Sequence, residues 1–150
     1  MDTVGILGGT GLVGRSLITA LRKNDPDRPL RVLSRTEPTG LPEGVSWRKA
    51  DVRSLLSLER GLAGCSTVFY LPGILAESRD QTYEAIHHEG VLATLKALEG
   101  KSVERLVHLS AIGASPTASS AYLRTMGNLV WTSSTRRVSI VTSFSRSRTR

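Results

Sequence analysis

Hydrophobic positions along the first 110 residues fall into two alternating kinds of segment. Val4-Gly5-Ile6-Leu7, Leu30-Arg31-Val32-Leu33, Val45-Ser46-Trp47, Thr67-Val68-Phe69-Tyr70 and Leu106-Val107-His108-Leu109 are short, rich in β-branched, Leu or aromatic residues, and predict strands. The longer segments between them carry apolar residues at helical spacing. Leu12 to Lys23 holds Leu12, Val13, Leu17, Ile18 and Leu21. Ser54 to Gly61 holds Leu55, Leu56 and Leu58, with Ser54 as N-cap and Gly61 or Gly64 as stop. Asp80 to Glu99 holds Ile86, Val91, Leu92, Leu95 and Leu98 and ends at Gly100. Strands alternating with helices of this length predict an α/β fold, a doubly wound parallel sheet of five to six strands with helices on both faces. The strands are mostly continuous apolar runs, as expected when both faces are covered. An all-helical bundle does not fit the β-branched runs or the Gly and Pro punctuation at residues 24–29 and 37–44.

After Gly127 the pattern changes. Ten of the last 24 residues are Ser or Thr and five are Arg. Val138-Ser139-Ile140-Val141 reads as a sixth strand, and Ser143 to Arg150 as disordered. The expected organisation is one domain over residues 1–130 and a basic Ser/Arg-rich tail over 131–150, without a full C-terminal substrate domain. Two origins fit the tail: a shift of reading frame near residues 127–131, or a natural short form.

The formal net charge is +7, but residues 1–126 carry 15 Lys/Arg against 13 Asp/Glu, so the basic excess sits mainly in the tail. A nearly neutral body makes nucleic acid an unfavoured partner. The single cysteine, Cys65, excludes a disulfide framework and a Cys-rich zinc site and reads as a small core residue. No apolar run approaches the roughly 18–20 residues of a membrane span. The N-terminus lacks a basic segment and a long apolar stretch, so the cytoplasm is the expected compartment.

The sharpest chemical signal is the turn after the first strand. Gly8-Gly9-Thr10-Gly11-Leu12-Val13-Gly14 has glycines at G-x-x-G-x-x-G spacing and opens the first helix. Gly8 lets the chain turn sharply, Gly11 lets backbone approach a pyrophosphate, and Gly14 lets the helix pack closely on the sheet. The helix N-terminus then presents N–H groups and the positive end of its dipole to the phosphates. The plain alternative is a flexible loop without a ligand. The second strand ends at Leu33-Ser34-Arg35-Thr36, where an NAD binder would carry an acid for the ribose 2′-hydroxyl. Arg35 can instead pair with a 2′-phosphate and Ser34 can donate to it, which favours NADP(H) over NAD(H). A solvated surface role for Arg35 stays open. Asp51-Val52 borders the adenine, or Asp51 is a helix N-terminal acid.

With these motifs the chain resembles the short-chain dehydrogenase/reductase superfamily in its extended or atypical branch, near the NmrA-like and complex I accessory-subunit groups. Further stretches carry the likeness: Val68-Phe69-Tyr70-Leu71-Pro72-Gly73, His87-His88-Glu89-Gly90, Arg105 to Ala114, and Tyr122-Leu123-Arg124-Thr125. The resemblance implies a Rossmann fold. It implies cofactor contacts from Gly8, Thr10, Gly11, Leu12, Val13, Gly14, Ser34, Arg35, Asp51, Val52, Leu71 and Gly73. It implies that Ser110 and Tyr122 occupy the catalytic Ser and Tyr places and that His87 faces the cofactor side. Catalytic members of the family carry Tyr-x-x-x-Lys, in which the Lys lowers the Tyr pKa. Here the fourth residue after Tyr122 is Met126, and Arg124 lies on a different helical face.

Other constellations are weaker. His87, His88 and Glu89 are consecutive on a helix and point apart, so no metal site is expected. His108 and Ser110 lie two apart on one strand, which does not build a nucleophile–base pair, and no G-x-S-x-G occurs. Trp47 and Trp131 read as packing residues. Two functions follow as expectations. One is NADPH-dependent hydride transfer to an unknown small-molecule substrate. The other is dinucleotide binding without turnover, as a sensor or an accessory subunit of a larger complex. An exposed apolar face is expected to drive homodimerisation or aggregation.

Overall fold

The computed structural model describes residues 3–132; the expected strand at 138–141 and the rest of the tail lie outside the described residues. In chain order the elements are β1 (Thr3–Leu7), α1 (Leu12–Asn24), β2 (Leu30–Ser34), β3 (Val45–Lys49), α2 (Leu55–Gly61) and β4 (Cys65–Tyr70), followed by a π-helical segment (Glu84–Glu89), α3 (Gly90–Leu98), β5 (Arg105–His108) and α4 (Ala121–Thr132). The five strands form one parallel sheet in the order β3-β2-β1-β4-β5. This is the doubly wound Rossmann arrangement, and its strand order reverses between β1 and β4.

Alternation along each strand divides the core in two. Val4 and Ile6 of β1 and Leu30 and Val32 of β2 pack on Ile18 of α1, with Leu17 and Leu21 closing the edge. Leu7, Leu33, Val68, Tyr70 and Leu106 face the other way and bury α2 through Leu58 and Leu62, and α3 through Val91, Ala97 and Leu98. Ser54 caps α2 as expected, accepting from the Ser57 N–H. Cys65 is buried among these residues, and burial pushes its thiol pKa up.

Two features differ from the sequence pattern. The helix expected from Asp80 begins four residues later and opens as a π-helix. Ser78 and Gln81 pair with each other, Glu77 accepts from the Tyr83 N–H at 2.7 Å, and Thr82 accepts from the Ala85 N–H at 3.1 Å. These local bonds spend residues 77–82 on a turn and start the helix after Thr82. The wide turn follows from Tyr70: a Cβ at Gly90 would lie 2.4 Å from its hydroxyl, which donates to the Ile86 carbonyl. The second feature is α4, which runs from Ala121 through Gly127 to Thr132, across the point where the residue pattern changes. Gly127 sits where the backbone of Ser115 leaves no room for a Cβ, so its role is close packing.

Candidate functional site

The turn from β1 into α1 supplies the floor of the site. Gly8 has φ +76°, and a Cβ there would lie 3.0 Å from the Pro72 nitrogen and 3.1 Å from the Leu71 carbonyl carbon. Only glycine combines that left-handed backbone with so close a neighbour. Gly14 is tighter still: its Cβ would lie 2.5 Å from the Gly8 oxygen and from the Gly9 Cα. α1 therefore starts pressed against the turn. Gly11 is its N-cap, no side chain caps it, no acid stands in the first turn, and Arg22 and Lys23 complete the last. A helix of 13 residues with an uncapped, acid-free N-terminus presents a positive pole to whatever lies before it.

In front of that pole is a cleft of about 270 Å³ at the carboxyl ends of β1, β2 and β4. Its walls include Gly8, Thr10, Gly11, Ser34, Arg35, Asp51, Val52, Leu71 and Gly73, which the sequence singled out. Leu12, Val13 and Gly14 are not among its walls. Leu12 and Val13 are exposed, at 86% and 47%, and Gly14 serves the helix–turn contact. Placement at the sheet's switch point is where open α/β sheets form crevices for ligands.

The cleft's charged end is a cluster. Arg53 donates to Asp51 through Nε (3.0 Å) and Nη2 (2.7 Å), and its Nη1 reaches the Asp80 carbonyl at 2.8 Å. These bonds from Arg53 hold the Asp51 carboxyl below its usual pKa, and Arg35 lowers it further. Sequence reasoning missed Arg53, although the Asp51-x-Arg53 spacing was the available signal. Ser34 is committed within the chain: its hydroxyl donates to the Thr36 carbonyl at 2.6 Å and accepts from Trp47 Nε1 at 2.9 Å. The Ser34 hydroxyl proton is thus already used, while Arg35 keeps an exposed side chain at the cleft.

Ser110 and Tyr122 occupy a second region. Ser110 lies two residues past the end of β5 and is half-buried. Tyr122 lies in the first turn of α4, where its ring meets those of His87 (5.1 Å between centroids, 88°) and Tyr83 (5.7 Å, 81°) edge-on. Neither is among the cleft's walls. Met126, one turn further on, is 5% exposed and belongs to the core. Arg124 donates to the Ala118 and Ser119 carbonyls, so its guanidinium holds the loop before α4. His87, expected to face the cofactor side, is wholly buried, with its Nε2 turned to the backbone of Ile74 in the cleft wall. His88 pairs with Glu84 on the same segment, with 2.5 Å between Nδ1 and Oε1. His108 is buried beside Tyr70, with no hydrogen-bond partner among the described residues, and burial lowers its pKa. No described helix is long and apolar enough to cross a membrane.

Comparison with known proteins bears on this geometry. Residues 8–138 match a family model described as NAD(P)H-binding. The chain is 33% identical over 113 residues to short-chain dehydrogenase/reductase family 42E member 1 of Xenopus laevis, covering 73% of this chain and 29% of that protein. It is 24% identical over 128 residues to the mitochondrial NADH-ubiquinone oxidoreductase 40 kDa subunit of Neurospora crassa, covering 82% of this chain and 34% of the relative. The chain thus spans about a third or less of the curated relatives it matches. Among solved structures, a short-chain dehydrogenase/reductase superfamily protein from Agrobacterium tumefaciens with bound NAD superposes with a TM-score of 0.73 at 20% identity, over 94% of this chain and 48% of that one. At that identity the likeness shows the fold.

Proposed function

The chain belongs to the NAD(P)H-binding family, and on that premise we propose that it holds NADP(H) in preference to NAD(H), with the diphosphate over the Gly8–Gly11 turn. The observation that carries the proposal is the turn itself. Gly8 is left-handed against Leu71 and Pro72, and the uncapped pole of α1 looks into a cleft of dinucleotide-compatible lining. The residues present fit the group: Thr10 and Gly11 would flank the diphosphate, Val52 and Leu71 would border the adenine, and Gly73 lies beyond.

Arg35 supports the NADP preference. It stands at the end of β2, exposed at the cleft, with no acid of β2 beside it. Asp51 is neutralised by Arg53, so the cluster of Arg35, Asp51 and Arg53 is net cationic and suits a 2′-phosphate. Replacing Arg35 by Ala is expected to weaken NADPH about tenfold, the worth of a charge-assisted hydrogen bond, while NADH changes by less than about twofold. Equal affinities for both nucleotides in the unaltered protein would refute the preference.

The ancestral activity we assign is hydride transfer to a small carbonyl-type substrate in the cytoplasm. A bound nicotinamide supplies the hydride; Ser110 orients the substrate oxygen and Tyr122 donates the proton. One observation favours a second reading, binding without turnover as a sensor or accessory subunit. Met126 is buried where catalytic relatives place Lys, and a thioether brings no positive charge to the Tyr122 hydroxyl. NADPH consumption with a panel of carbonyls separates the two. Turnover that disappears in Tyr122→Phe supports catalysis, and tight binding without turnover supports the sensor.

A further inference from the structure

We propose that His87 is a positioning residue whose imidazole ties the loop after β4 to helix α4, so that one buried ring sets both the cleft wall and the helix bearing Tyr122. The inference rests on the dinucleotide reading of the cleft for its functional consequence, but not for its geometry.

His87 is fully buried on the π-helical segment. Its Nε2 accepts from the Ile74 backbone N–H at 3.0 Å, and a Cβ on Gly73 would lie 3.8 Å from the same nitrogen. Gly73 and Ile74 both line the cleft. On the other side Nδ1 faces the Thr125 hydroxyl at 3.4 Å. An Nε2 that accepts must carry its proton on Nδ1, so Nδ1–H donates to Thr125 Oγ1. That hydroxyl in turn donates back into α4, to the Tyr122 carbonyl at 2.9 Å or the Ala121 carbonyl at 3.1 Å. The tautomer is therefore fixed by two elements at once. Tyr83 stacks on the ring at 5.4 Å and 23°, and Tyr122 meets its edge, so the imidazole cannot swing away from either bond. Burial also lowers the His87 pKa against an opposing pull from Glu77, which keeps the acceptor nitrogen free near neutral pH.

A packing role alone would be met by any ring of this size. What distinguishes His87 is that both nitrogens are used, one on the cleft loop and one on α4. Loss of the acceptor frees the Ile74 N–H and lets the loop over Gly8 drift. Because Leu71 and Pro72 back directly onto Gly8, the drift reaches the diphosphate turn.

The test compares the unaltered protein with His87→Phe, which keeps a ring but no acceptor, His87→Gln, which restores an acceptor without the ring, and Thr125→Val, which removes the anchor on α4. Amide hydrogen exchange of Ile74 is read without ligand, and NADPH affinity is read by fluorescence titration. In His87→Phe, Ile74 exchange is expected to rise about tenfold and NADPH affinity to fall about five- to tenfold, the range for losing one buried hydrogen bond. His87→Gln is expected to recover most of both losses even if its melting temperature stays low. Thr125→Val shifts both in the same direction by a smaller factor, and it serves if His87→Phe does not fold. Ile74 exchange unchanged in His87→Phe or Thr125→Val overturns the proposal, as does His87→Gln failing to recover the loop. If the unaltered protein binds no NADPH while Ile74 exchange still follows residue 87, the tie stands and the dinucleotide reading fails.

Discussion

Replacing Gly14 by Ala tests whether the close fit of α1 against the turn matters for binding. The added methyl would sit 2.5 Å from the Gly8 oxygen and from the Gly9 Cα, and 2.8 Å from the Gly9 carbonyl carbon. All three are backbone atoms, so no side chain can swing aside. The helix start must retreat from the turn, by close to 1 Å, before ordinary contact is restored. Two stability effects oppose each other. Overpacking costs about 1–3 kcal/mol, while Ala in a helix is better than Gly by about 1 kcal/mol. The net loss is therefore small, up to about 2 kcal/mol, or a fall of a few degrees in melting temperature. Binding has no such compensation, because the N–H groups that face the diphosphate move with the helix. NADPH affinity is expected to fall about tenfold or more, a change worth about 1.4 kcal/mol. Gly40→Ala is the control: it has φ +69° with open space around it, so it carries backbone strain of about 1 kcal/mol or more without touching the site. Titration calorimetry and thermal melts on both variants give the comparison. A Gly14→Ala protein that binds NADPH as well as the unaltered chain would show that the close fit of α1 on the turn does not serve binding.

Three further outcomes follow from the same structure. Arg53→Ala leaves the Asp51 carboxylate unpaired at the cleft, so NADPH, with its additional phosphate, should weaken more than NADH; equal losses in paired titrations would count against the charge cluster. Burial lowers the pKa of His87 and of His108 in the folded chain, so the unfolded chain takes up protons first as pH falls below about 6.5. Stability is then fully present above that pH and declines below it, with a slope of up to about 1.4 kcal/mol per pH unit for each histidine. Asp51, lowered by Arg53, adds its own loss only near and below pH 4. Melts between pH 7.5 and about 5 that show no decline would contradict the buried neutral rings. Leu12, Leu75 and Ile112 are all more than half exposed on the loop side of the sheet, which predicts self-association that grows with concentration; a clean monomer by size-exclusion chromatography across a hundredfold range would remove it.

Much of this was legible in the residues, and the division has physical reasons. The five apolar strand runs, the Ser54 cap and the glycine spacing are local, and each lies where the sequence places it, because short buried strands and helix starts depend on near neighbours. The π-helical segment was not legible. It depends on Tyr70, some twenty residues upstream, meeting Gly90 and taking the Ile86 carbonyl. Arg53 was missed because its meaning lies in where its guanidinium goes, across to Asp51 and the Asp80 carbonyl. Ser34 shows the reverse case: its residue type suits phosphate, yet Trp47 and Thr36 already use its hydroxyl. The resemblance placed His87 on the cofactor side, but its full burial and its bond to the Ile74 N–H depend on the loop after β4, which no local pattern reveals.

The most direct test of the account is a titration of ¹⁵N-labelled protein with NADPH, followed amide by amide. The largest shifts are expected on Gly8, Thr10, Gly11 and the first amides of α1, with a second group at Arg35. Shifts that cluster away from the turn, or no shifts at saturating nucleotide, would contradict the assignment of the diphosphate to the head of α1.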